Sequence, residues 1–457
     1  MSFSLTGLAS GLDTATIISQ LMQIERIPYQ KLEQRQNTLS SQQSIFRNIN
    51  TKLSALRTAA EELSMSFNFD LRSTTVSDES VVKATASEGV PEGSYVINVE
   101  SLATRHSLVS KKFSNLGEEL NETLKITIAV GDESDIFTID PDPDNGLTVE
   151  QALDQLRQKI NASELDVTAS LITTDDSQGI KRLVITSNKT GTANSISIDD
   201  ENNQLEFEDS VKAEDAIFKV NGVEIKSSSN EISEVIPGLS LTLMKAGETT
   251  IHVQRDVDKI VEKVEAFVKA YNDVISTVKS NLGKEKSLQG DSTLRTLESH
   301  LNNLINRQVG NDPDALSFLF QIGLEVDKGK VDASSMTGTI SFDKEKFKSA
   351  FAANPDEVIR LFTYQDKDHP DQNGIAVQFK NSLMEWTSYG KGILAMKIEG
   401  YTSEISLINQ QMEAMETRLE LKEQQLKRQF TAMESALIQL QNQQVWLASQ
   451  IASMGIY

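Results

Sequence analysis

The chain has 457 residues, 38% of them hydrophobic, a formal net charge of −22 and no cysteine. That length accommodates roughly two to four domains with their own cores, and no apolar run approaches the ~20 residues of a membrane span. The acidity argues against nucleic acid and anionic membranes as partners, and the lack of thiols excludes disulfides, thiolate nucleophiles and Cys-based zinc sites.

The chain opens MSFSLTGLASGLDT with no Lys or Arg before a long apolar core, so a cleaved signal peptide is not expected. Gly7 and Gly11 are not followed by Lys and no strand precedes them, which rules out a phosphate loop. Their spacing lies outside any apolar span, which rules out a membrane packing motif. Ser10 and Asp13 are candidate caps for a helix beginning near Thr14. Ile17, Ile18, Leu21 and Ile24 then form a short apolar stripe that Pro28 interrupts. A second helix follows, in which Leu32, Leu39, Phe46, Leu53 and Ala60 fall seven apart. Ile49, Leu56 and Leu63 take the other core position of the same frame, while Arg35 and Gln42 occupy its earlier turns.

Residues 70–250 hold 33 acidic and 15 basic residues against 33 and 29 in the remainder, so the charge belongs to the middle of the chain. Short alternating runs mark this part as strands: YVINV, LKITIAV, DIFTID, RLVITS, NSISID, AIFKVNGVEI and LSLTLM. Asn221-Gly222 is a two-residue hairpin signal. One helix interrupts, with Thr148 and Gln151 as a capping box and Val149, Ala152, Leu153, Leu156 and Ile160 on one face. The block therefore reads as α+β and mostly antiparallel. DPDPDNG (140–146) resembles a calcium loop, but its glycine comes one position late and Gln151 stands where the bidentate Glu belongs. His106, His252, His300 and His369 are scattered, and no metal, cofactor or catalytic motif accompanies them.

From residue 256 the helical period returns in Val257, Ile260, Val264, Phe267, Tyr271, Val274 and Val278, and again in Leu294, Leu297, Leu301 and Leu304. The last sixty or so residues carry the longest pattern. Ile398, Ile405, Met412, Leu419, Leu426, Met433, Leu440, Leu447 and Met454 lie seven apart, with Tyr401, Ile408 and Met415 between them. Phe430, Leu437 and Ile451 then appear one residue late, so the seam drifts toward the period of a straight helix. Two amphipathic terminal helices are buried most simply against each other. The expected fold is multidomain α+β: an antiparallel coiled-coil or helical-bundle stalk built from both ends, with inserted, mainly antiparallel β-rich domains.

Four stretches resemble the bacterial flagellar filament cap family, hook-associated protein 2. They are GLASGLDTATIISQLMQIERIP with the heptad helix after it, AEDAIFKVNGVEI through FVKAYNDV, GLEVDKGKVDASSMTGTISFDKEKFKSAFAANPDEVIRLF, and RQFTAMESALIQLQNQQVWLASQI. Residues 113–213 carry no pattern of that family. The resemblance implies a non-enzymatic, cofactor-free protein that leaves the cell through the flagellar export channel. It implies a ring, commonly a pentamer, at the filament tip, guiding exported flagellin as it folds and inserts. Its implied partners are further copies of itself, flagellin, hook-associated proteins and an export chaperone, with host mucin bound by exposed domains in some bacteria.

On this reading residues 1–27 are a flexible leg, 28–69 and 256–457 a discontinuous helical stalk with a second leg from about 430. Residues 70–112 and 214–255 are an inner β-rich domain, and 113–213 an outer insertion. The stalk seam is expected at Leu32, Leu39, Phe46, Ile49, Leu53, Leu56, Leu63, Ile398, Ile405, Met412, Leu419, Leu426, Met433 and Leu440. The legs would dock into the filament through Ile17, Ile18, Leu21, Ile24, Trp446, Leu447 and Ile451, and the ring would close through a heterologous interface. The alternatives are a hook–filament junction protein or flagellin-like rod subunit, and a surface adhesin on a coiled-coil stalk.

Overall fold

A computed structural model describes residues 11, 13–142, 144, 146–175, 179–313, 315–332, 335–453 and 455. Gly7, Ser10 and Met454 lie outside the described residues. The fold is multidomain α+β and divides into two compact units, residues 1–66 with 261–457, and residues 67–260.

The helical unit starts with α1 (Thr14–Glu25) and α2 (Ile27–Leu63), separated by Arg26 alone. Pro28 sits in the first turn of α2, where its missing N–H removes no bond within that helix. Phe46, Ile49, Leu53, Leu56, Ala60 and Leu63 are all buried, because spacings of three and four residues bring them onto one stripe.

The β-rich unit opens with β1 (Arg72–Val76), β2 (Val82–Ala86) and β3 (Gly93–Ser101). The chain then builds a distal lobe from β4 (Arg105–Val109), β5 (Leu124–Val130), β6 (Glu133–Ile139), α3 (Val149–Ala162), β7 (Val167–Asp175), β8 (Ile180–Thr190), β9 (Ile196–Asp200) and β10 (Glu208–Val211). It returns as β11 (Ala216–Val220), β12 (Val223–Ser227), β13 (Glu231–Ile236), β14 (Leu239–Leu243) and β15 (Gly247–Arg255). The proximal lobe holds the sheets β1-β15-β3-β11-β12 and β13-β14-β2, and the distal lobe β10-β4-β8-β7 and β6-β5-β9. Every pairing in these sheets is antiparallel.

Local chemistry explains several joints. Asn221 and Gly222, at φ 48° and 84°, form the turn between β11 and β12 with the left-handed backbone such a turn needs. In α3 the Thr148 hydroxyl accepts the Gln151 N–H at 3.3 Å while the Gln151 side chain accepts the Thr148 N–H at 3.0 Å. The two lobes have separate cores, one around Ile97, Val99, Phe218 and Ile251 and one around Ile126, Ile128, Leu156 and Ile185. Leu108 belongs to the distal core and Ala103 to the proximal one. The distal lobe therefore begins at β4, not at residue 113; RHSLV is too short and polar to announce a strand.

The neck between the lobes is tightly bonded. Thr104 and Glu214 bridge, with the Thr104 N–H donating to the Glu214 carbonyl at 2.9 Å. Asp215 accepts the Thr192 N–H at 2.7 Å and its hydroxyl at 2.9 Å. The Asn230 amide both accepts from the Ala103 N–H at 2.8 Å and donates to its carbonyl at 2.9 Å. Gly191, at φ +92°, passes so near Ser228 that a Cβ would stand 2.5 Å from its Cα, which requires glycine.

The helical unit resumes with α4 (Val257–Leu282), α5 (Ser292–Ile305), β16 (Leu324–Val326), β17 (Ile340–Phe342), α6 (Lys344–Ala353), α7 (Pro355–Thr363), α8 (Ile375–Thr387) and α9 (Ile393–Ser453). Asp327 organises the loop between β16 and β17, accepting from the N–H groups of Thr337 at 2.7 Å and Gly338 at 2.8 Å. Burial alone would raise its carboxyl, but these N–H groups, the Thr337 hydroxyl and Lys330 outweigh it and hold the pKa below the ordinary carboxylate value. A carboxylate of lowered pKa contributes stability above its unfolded pKa of ~3.9 and loses that contribution as pH falls through the folded value. Asp327→Asn is therefore expected to destabilise the helical unit at neutral pH and to make its acid unfolding limb shallower below about pH 4. Circular dichroism titrations of the two proteins check this; parallel limbs would contradict it.

Candidate docking arm

The helical unit brings the two ends of the chain side by side. Arg35 pairs with Glu404 at 2.9 Å and Gln36 donates to Asn409 at 3.2 Å. Gln43 donates to the Thr402 hydroxyl at 2.7 Å, and the rings of Phe46 and Tyr401 lie 5.7 Å apart. Arg57 reaches Thr387 of α8 at 3.1 Å. Partner numbers fall as α2 advances, so α2 runs antiparallel to α9 and, beyond the start of α9, against α8. Lys397 crosses this layer with its Nζ 5.6 Å from both ring centroids and an ion pair to Asp291 at 3.3 Å. Asp291 is also the cap of α5, accepting the Leu294 N–H at 3.0 Å.

The expected seam residues separate by depth. Leu39, Phe46, Ile49, Leu53, Leu56, Leu63 and Leu419 are buried, while Leu32, Ile398, Ile405, Met412 and Leu426 are half-buried. Met433 and Leu440 are exposed, Leu440 by 59%, so the seam does not continue to them among the described residues. The seven-residue pattern persists in α9 past the last turn that α1 covers. Burial in α9 is deepest at Leu394, Ile408, Leu419 and Glu434, spacings that together follow the 3.6-residue turn of a straight helix.

Beyond that seam α1 lies on α9 as a two-helix arm. The Asp13 carboxylate caps α1, accepting the Thr16 N–H at 3.0 Å and the Thr16 hydroxyl at 2.5 Å. The hydroxyl first and then the N–H hold its pKa below the ordinary value. Ile18, Met22 and Leu419 form a small core of their own, with Tyr29, Met415, Leu426 and Phe430 partly buried against it. The apolar stripe expected to dock outward is thus divided. Ile18 faces inward, Ile17 is half-buried, and Leu21 and Ile24 remain exposed. Residues 14–25 are a capped helix lying on α9, a correction to the expectation of a flexible segment through residue 27. Met22 escaped the sequence reading, although its i, i+4 relation to Ile18 was the available signal.

The tail of α9 is a third part. Trp446 is 62% exposed, and Leu447 and Ile451 are exposed with it. No Asp, Glu, Lys or Arg occurs from residue 435 to 457, and residues 2–24 contain only Asp13. Elsewhere polar groups are used structurally. His106 accepts the Ile196 N–H through Nδ1 at 2.8 Å and faces Asp209 through Nε2 at 3.2 Å. In the acidic loop Asp142 accepts the Asp144 N–H at 3.2 Å. Among the described residues no group of three or more His, Asp or Glu could hold a metal ion, and no helix is long and apolar enough to cross a membrane.

A family model described as the flagellar hook-associated protein 2 C-terminus matches residues 213–442, and one described as its N-terminus matches residues 10–106. The A-type flagellar hook-associated protein 2 of Pseudomonas aeruginosa is 24% identical over 99% of this chain and 98% of its own. The flagellar hook-associated protein 2 of Escherichia coli (strain K12) is 26% identical over 98% of both. The crystal structure of the flagellar cap protein FliD D1-D2-D3 domains from Escherichia coli is similar with a TM-score of 0.61 and 27% identity, over 78% of this chain and 99% of that one.

Proposed function

The chain belongs to the flagellar hook-associated protein 2 family, and on that premise we propose that it caps the growing flagellar filament, held at the tip by its terminal helices. It reaches the filament tip through flagellar export and works as a structural part of the organelle. The observation that carries this reading is the antiparallel union of α2 with α9, which makes both chain ends one continuous helical support. The β-rich lobes are inserted between those ends.

The working state on this reading is a ring of identical copies, a pentamer, contacting flagellin below it and replacing the hook-associated proteins' bare end with a moving cover. The exposed, charge-free tail around Trp446, Leu447 and Ile451 serves as the filament-docking leg. Such a surface gains by burial and has no counter-charge to find, so it tolerates the unlike neighbours that a ring meets on a helical filament. The exposed lobes are the surfaces available for adhesion.

Expression in a cap-deficient flagellated strain tests this. Full-length protein is expected to restore filament growth, and Trp446→Asp with Leu447→Asp to abolish it at an unchanged export level. Growth restored by the double variant would remove the tail from the docking role. Failure of the full-length chain in its native background would contradict capping itself.

A further inference from the structure

We propose that the free edge of β7 is a strand-pairing surface for a second copy of this chain, held shut by the side chain of Asn161. The edge belongs to the distal lobe of a single copy, so this holds whether or not the chain caps a filament.

Among the described residues the four sheets of the β-rich unit end in eight edge strands. An edge strand turns a row of unpaired N–H and C=O groups outward, and folds blunt such rows with shortness, charge or bulges. Strands β1, β2, β6, β9, β10, β12 and β13 follow that rule. They are four to seven residues long, and each carries a charged side chain within its span. The eighth, β7, departs from it with nine residues. Its run VTASLITT, Val167 to Thr174, has no charge, no Pro and no Gly, and five of its eight residues are β-branched. Such a composition favours the addition of strand to strand. Ile172 within it is 47% exposed, and Asp175 brings a charge only at the last position.

One amide closes this edge. The Ala169 N–H donates to Asn161 Oδ1 at 2.7 Å, and Asn161 Nδ2 donates to the Ala169 carbonyl at 2.9 Å. Ala169 stands opposite Ile185 in the ladder between β7 and β8. Both of its polar groups therefore point away from β8, to the free side, where the amide offers what one residue of a further strand would offer. The same two-point grip recurs where Asn272 of α4 holds Ile340 of β17, at 2.7 and 2.9 Å. Alternation along the ladder orients Leu171 and Thr173 as it orients Ala169, and these form the part of the edge that Asn161 does not reach. A second β7 is the strand that matches. It brings the same uncharged run, whereas each of the other edge strands would bring Asp, Glu, Lys or Arg into the pairing. Asp166, just ahead of the run, is paired with Lys189 at 2.5 Å. To pair along the whole run, an incoming β7 must displace the amide and break both of its hydrogen bonds.

Asn161→Leu removes both bonds at an exposed position and leaves the distal core in place. By sedimentation velocity the full-length variant is expected to self-associate about tenfold more tightly than the unaltered chain. Its Leu171 and Thr173 amides should become protected from hydrogen exchange as concentration rises. Adding Ile172→Lys, which sets a charge on the same edge, should reverse both effects. Unchanged association of Asn161→Leu would overturn the guard. Association that Ile172→Lys fails to reverse, or that leaves Leu171 and Thr173 unprotected, would overturn the pairing surface. The unaltered chain supplies a check that depends on no variant folding. At low concentration its Ala169 amide should exchange about tenfold more slowly than those of Leu171 and Thr173. Equal rates at the three amides would mean that Asn161 holds nothing shut.

Discussion

Phe46→Ala is expected to lower the stability of the helical unit by about 3–5 kcal/mol, the usual cost of emptying a fully buried aromatic site. Phe46 has no exposed surface, and its ring packs at 5.7 Å from that of Tyr401. The loss would spread further than the cavity. Lys397 lies over both rings and binds the Asp291 carboxylate that caps α5. Removing one ring loosens a layer shared by α2, α9 and α5. Denaturant unfolding followed by far-ultraviolet circular dichroism measures the effect. Leu32→Ala, at a half-buried position of the same frame, should cost clearly less. Equal costs at Phe46 and Leu32 would show that the two ends of α2 are packed alike, against the depth seen here.

Leu419→Asp is expected to abolish filament elongation in a cap-deficient strain while leaving export intact. Among the described residues the core joining α1 to α9 has three buried members, Ile18, Met22 and Leu419. A carboxylate placed among them would sit against the apolar side chains of Ile18 and Met22, and unpacking the helices is less costly than burying it there. A freed α1 is a 12-residue helix, a length that is marginal in water. The variant should therefore lose about one short helix of dichroism signal, keep the rest of the fold, and accumulate unpolymerised flagellin in the medium. Leu419→Met, similar in volume, should cost under ~1.5 kcal/mol and retain growth. Normal filaments from Leu419→Asp would mean that the arm has no part in capping.

How far the structure could be read from the sequence depended on whether a residue's fate was decided locally. The turn at Asn221-Gly222 and the box at Thr148 and Gln151 depend on neighbours a few positions away, and both were legible. The stripe from Phe46 to Leu63 was legible because only one face of α2 is apolar. In α1 this fails: Ile17, Ile18, Leu21, Met22 and Ile24 surround the helix, so periodicity could not choose the face, and the partner α9 chose Ile18 and Met22. Periodicity likewise could not say where the seam stops. Met433 and Leu440 continue the heptad frame, yet among the described residues both are exposed while their neighbour Glu434 is buried. β4 was illegible for a different reason, since RHSLV pairs only with strands remote in sequence.

The bridge between Thr104 and Glu214 also bears on how this protein can diversify. Paired residues on adjacent strands lie about 5 Å apart. Everything from residue 105 to 213 could then be excised and the ends rejoined by a very short linker, with the proximal sheets still hydrogen-bonded. The distal lobe is in that sense a cassette, and the stretch from 107 to 212 is the interval between the two family-model matches. Lineages are free to exchange or lose this lobe without redesigning the sheets that carry it.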